Sequence, residues 1–76
     1  MRETRDALKR KLGDFKYQAL ISPFKAILRN QMHKDDTGPV ETAQWFIEAM
    51  RRKKKLTPTA HAALIATAYE LIEEKA

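Results

Sequence analysis

Each of the chain's three prolines follows a residue suited to the start of a helix: Ser22-Pro23, Gly38-Pro39 and Thr57-Pro58. Serine, threonine and glycine are favoured N-caps, and proline at the first helical position loses nothing, because its missing N–H would have no partner there. Beyond these prolines only two glycines punctuate the 76 residues, and no stretch alternates apolar and polar residues over the length of a strand. The chain is therefore expected to be all-α, one domain built as a small bundle of three or four short helices.

The apolar spacing places these helices. A last helix, roughly 58 to 75, carries Leu64, Ile65, Ala68, Leu71 and Ile72 on one stripe, with alanines at 60, 62, 63, 66 and 68 that let a neighbour approach closely. The helix before it, roughly 39 to 54, turns Val40, Ala43, Phe46, Ile47 and Met50 to one side and places Glu41 in its first turn, where an acid suits the helix dipole. Upstream, Leu12, Phe15 and Ala19 all stay within about 40° of Leu8, so the apolar phase passes through Gly13 and allows a helix to continue there. From Leu20 the phase jumps by more than about 100° to Leu20, Phe24, Ile27 and Leu28, which predicts a break or sharp kink at Ser22-Pro23. A loop over residues 33 to 38 separates this pair from the later helices. The expected core is Leu8, Leu12, Phe15, Leu20, Phe24, Ile27, Leu28, Phe46, Ile47, Met50, Leu64, Ile65, Leu71 and Ile72.

A chain this short buries only about 60% of its unfolded surface, which disfavours a deep, dry active site. It has no cysteine, no apolar N-terminal signal-like segment and no apolar run of about 18 residues, so a soluble, cytoplasmic protein is expected. Its formal net charge is +5, unevenly distributed: residues 1 to 56 hold 14 Lys+Arg against 7 Asp+Glu, whereas residues 57 to 76 hold Lys75 against Glu70, Glu73 and Glu74. Such a balance favours nucleic acid, an anionic surface or an acidic protein as partner.

Material for catalysis is sparse. The two histidines, His33 and His61, belong to no catalytic motif, and there is no glycine-rich phosphate loop. His33, Asp35 and Asp36 share one loop, a poor basis for a metal site, and His61 reads as a surface or edge residue. The expectation is a protein that is not an enzyme and uses no cofactor or metal.

Binding has better candidates. Arg51, Arg52, Lys53, Lys54 and Lys55 close the helix over 39 to 54, where cations interact favourably with the dipole by about 0.3 to 1 kcal/mol each. Five in succession exceed that need, since the dipole effect fades within a turn and like charges repel. At the N-terminus Arg2, Arg5, Lys9 and Lys16 fall within about 60° on a helical wheel in line with Gly13, a row able to follow a phosphate backbone, although Glu3, Asp6 and Asp14 partly offset it. The last two helices have the coarse shape of a helix-turn-helix, but the second offers Thr59, His61 and alanines where base-reading side chains belong. Membrane binding is disfavoured because Leu8, Leu12 and Phe15 are needed for the core. Trp45 points away from its helix's apolar stripe and is either covered by another segment or exposed as an anchor for a protein partner. The favoured function is nucleic-acid binding through phosphate contacts; the alternative is a regulator or inhibitor that docks its basic face, with Trp45, on an acidic protein.

Overall fold

The computed structural model describes residues 2 to 75, except for the side chains of Arg2 and Lys75. Four helices follow one another: α1 (Arg2–Leu12), α2 (Asp14–Asp35), α3 (Pro39–Arg52) and α4 (Pro58–Lys75). The all-α reading holds. The two later proline starts also lie where the sequence places them. Pro39 opens α3, and Thr57 caps α4 by accepting the Ala60 N–H on its Oγ1 at 3.0 Å.

The first half of the chain departs from expectation in two linked ways. The helix does not continue through Gly13. That residue closes α1 by donating to the Lys9 carbonyl at 2.9 Å and opens α2 by accepting from Tyr17 N at 2.9 Å, but its φ of 80° turns the chain between them. With ψ at 163° this is backbone that side chains with a Cβ rarely adopt, so the glycine is required by conformation; among the described residues no atom lies within 4 Å of where a Cβ would be. Conversely, Pro23 does not break the chain, because α2 runs through it. Ala19, Ser22 and Pro23 are all exposed, so water can satisfy the Ala19 carbonyl that proline leaves without a partner. Tyr17 and Ile21 on one side of Pro23 and Leu28 on the other are fully buried, and this packing offsets the missing bond.

Moving the break from residue 23 to residue 13 changes which residues form the core. The buried stripe of α2 is Tyr17, Ile21 and Leu28, with Phe24 packed partly buried between them. Phe15 is 86% exposed, Ile27 47% and Ile72 38%, so these three are not core residues. Leu20 is half-buried. Leu8 and Leu12 pack against Tyr17, Ile21 and Ala66, while Leu28, Ala43, Ile47, Leu64, Ala68 and Leu71 form the larger cluster, with Phe46, Met50 and Ile65 against it. Helix α4 serves both clusters and packs on α1, α2 and α3. It is accordingly apolar on most of its circumference, and its buried Thr67 hydroxyl is satisfied by donating to the Ala63 carbonyl at 2.6 Å. Among the described residues no helix is long and apolar enough to cross a membrane.

Candidate polyanion-binding surface

The distribution of ion pairs decides which cations remain available. Glu70, Glu73 and Glu74 occupy the end of α4, where the helix dipole disfavours acids, so their partners lie elsewhere in the fold. Arg5 of α1 reaches Glu73 at 2.6 Å and Glu70 at 3.8 Å. Lys25 of α2 reaches Glu74 at 2.8 Å, and Arg29 pairs with the same carboxylate. The buried Tyr17 hydroxyl donates to Glu70 at 2.9 Å, and burial, with help from that bond, pushes its pKa well above the usual phenol value. The bond from Arg5 to Glu73 raises the guanidinium pKa in turn.

Hydrogen bonds from Lys25 and Arg29 hold the Glu74 carboxyl below its ordinary 4.5. A lowered pKa stabilises the fold above the unfolded-state value, and that contribution disappears as pH falls through the folded-state value. Thermal stability should therefore decline as pH drops below 4.5, and the Glu74→Gln variant should lose less over the same interval. The difference will be small and reduced by salt, since the carboxylate is exposed. Melting curves from pH 5 to pH 3 check it.

The N-terminal cationic row is largely engaged or dispersed. Arg5 is committed to α4, Lys9 lies 4.0 Å from Asp14 and 5.9 Å from the centre of the Tyr17 ring, and Lys16 belongs to α2 beyond the turn at Gly13. The Arg2 side chain lies outside the described residues. The single stripe drawn on a continuous helix is therefore divided between two helices.

The second run is different. Arg51 pairs with Glu48 at 2.6 Å, but Arg52, Lys53, Lys54 and Lys55 are exposed and, among the described residues, pair with no carboxylate. Their backbone forms the turn that ends α3: Lys54 N donates to the Arg51 carbonyl and Lys55 N to the Met50 carbonyl, both at 3.0 Å. This is the Schellman arrangement, whose left-handed position glycine normally fills. Here lysine fills it, with Lys54 at a φ of 56°.

Trp45 is 57% exposed and meets Phe46 edge to face at 4.9 Å. Seven residues on, Arg52 shares its face of α3. A groove of about 370 Å³ between α3 and α4 is lined by Val40, Ile47 and Ile65 with Glu48, Arg51 and His61. His33, Asp35 and Asp36 do not form a ligand set; no group of three or more such side chains converges among the described residues.

Sequence reasoning missed the pairing of Arg5, Lys25 and Arg29 with α4. Three acids at the wrong end of a helix were the available signal. No protein-family model, curated protein or solved structure matches this chain.

Proposed function

We propose that this protein is a small, non-enzymatic module that binds nucleic acid, with Arg52 to Lys55 as the main phosphate-binding surface. The observation that carries this reading is a lysine at position 54 in left-handed backbone, inside four successive cations that have no carboxylate partner among the described residues. A side chain with a Cβ there costs roughly 1 kcal/mol, and glycine would remove the cost. Strain of this kind persists where the residue serves something other than stability. The helix dipole does not require it, since Arg51 and Arg52 already occupy the last turn of α3. Sequence-indifferent binding to phosphates follows, because the start of α4 offers no base-reading side chains.

Lys54→Gly tests the trade directly. The variant should be more stable than the native chain by up to about 1 kcal/mol, part of the relieved strain being offset by glycine's greater unfolded-state freedom. It should also bind oligonucleotides more weakly. Greater stability with unchanged affinity would leave Lys54 a structural accident. Capture of nucleic acid from lysate by the tagged chain, abolished by nuclease, tests the ligand class itself.

Exposure of Trp45 favours a second reading, an acidic protein partner. On that reading Trp45→Ala weakens partner binding by about 2 kcal/mol or more and barely alters stability. A nuclease-resistant partner whose capture depends on Trp45 would support it.

A further inference from the structure

We infer that Phe15 stacks on an unpaired base, so that the nucleic acid bound by this protein is single-stranded. The inference rests on the nucleic-acid reading above and specifies its substrate.

Phe15 is 86% exposed, more than any other large apolar side chain described, and it stands at the start of α2 directly after the Gly13 turn. Packing does not account for an aromatic there, because the core side of this helix is supplied by Tyr17, Ile21 and Leu28. The chain around it is net positive but mixed in sign: Asp14 precedes it and lies 4.0 Å from Lys9, while Arg10, Lys11 and Lys16 stand within five residues of it. Arg10, Lys11 and Lys16 are exposed, and none pairs with a carboxylate among the described residues; the Arg10 guanidinium donates only to the Asp6 backbone carbonyl, at 3.4 Å. The Gly13 turn between them is open. The other exposed aromatic, Trp45, repeats the combination, with Arg52 two turns along the same helical face.

An aromatic ring beside free cations matches a single strand and not a duplex. In a duplex the bases already stack on one another and a protein surface meets phosphates and groove edges, so a protruding ring gains little. On a single strand every base presents a free face, and stacking adds to phosphate binding without reading sequence. That agrees with an exposed ring beside charge and with an α4 start that offers no base-reading side chains.

The test is fluorescence anisotropy with a labelled thymidine oligomer of about 15 nucleotides, the matching uridine oligomer, and a duplex of equal length. The native chain should prefer both single strands to the duplex. Phe15→Ala should weaken single-strand binding by roughly 5- to 150-fold, the range of one base stack, while leaving duplex binding and the salt dependence unchanged. Phe15→Trp should restore it. Circular dichroism should show Phe15→Ala folded as the native chain is, since the side chain is exposed. Equal single-strand affinity for Phe15→Ala and the native chain overturns the stacking inference and leaves the phosphate reading intact. Failure of the native chain to bind any of the three oligomers overturns both. Phe15-dependent sedimentation with phosphatidylcholine–phosphatidylglycerol vesicles, with oligomer binding indifferent to Phe15, assigns the ring to a lipid surface and also overturns the inference.

Discussion

Tyr17→Ala lowers the unfolding free energy by about 3 to 5 kcal/mol, while Phe15→Ala, two residues away, changes it by less than about 0.5 kcal/mol. The contrast follows from the turn at Gly13. Tyr17 is fully buried among Leu8, Leu12, Ile21 and Ala66, where α1, α2 and α4 meet. Its truncation opens a cavity at that junction and removes the hydroxyl that donates to Glu70. Against the modest total stability of so small a domain, a loss of that size leaves a large fraction unfolded at 37 °C. Phe15 loses only a ring already in water. Urea titrations of both variants measure the pair; a larger loss for Phe15→Ala than for Tyr17→Ala would mean that one helix passes through Gly13, carrying residue 15 inward and residue 17 outward.

The second half of the chain was legible because its signals are local. Pro39 and Pro58 sit at true helix starts, the Thr57 cap is made by its own side chain, and the periodic apolar residues Ile47, Leu64 and Leu71 are buried. The first half misled because two local signals were outweighed by tertiary packing. Pro23 looks like a helix start, but burial of Tyr17, Ile21 and Leu28 holds α2 together across it. Gly13 looks like a tolerated helical glycine because Leu8, Leu12 and Phe15 keep one apolar phase, and spacing alone cannot report a φ of 80°. The candidate site divides in the same way. The cations at 51 to 55 remain exposed as their sequence suggests, whereas the engagement of Arg5 depends on Glu73, brought to it only by the fold.

Replacing Lys53, Lys54 and Lys55 by glutamine should reduce affinity for a single-stranded oligonucleotide on the order of 100-fold at about 0.05 M salt, with little change in stability. These lysines lie at the C-cap of α3 and beyond it, past the last turn in which the dipole acts most strongly, so their charges contribute little to folding. If each neutralises a phosphate, each releases counterions on binding, and the three variant positions release none. Affinities of the native and variant chains should therefore converge as salt approaches about 1 M, where counterion release contributes least. Changes at Lys16 should add independently where they share no phosphate with the turn after α3, since Lys16 stands on a different element, α2.

The most direct measurement is the slope of log K against log salt for the native chain and the triple-glutamine variant on one single-stranded oligomer. The account predicts a slope shallower by about 0.7 for each phosphate that the variant no longer neutralises, roughly 2 in all, at unchanged melting temperature. Equal slopes, or binding that remains tight and insensitive to salt in the variant, would contradict it.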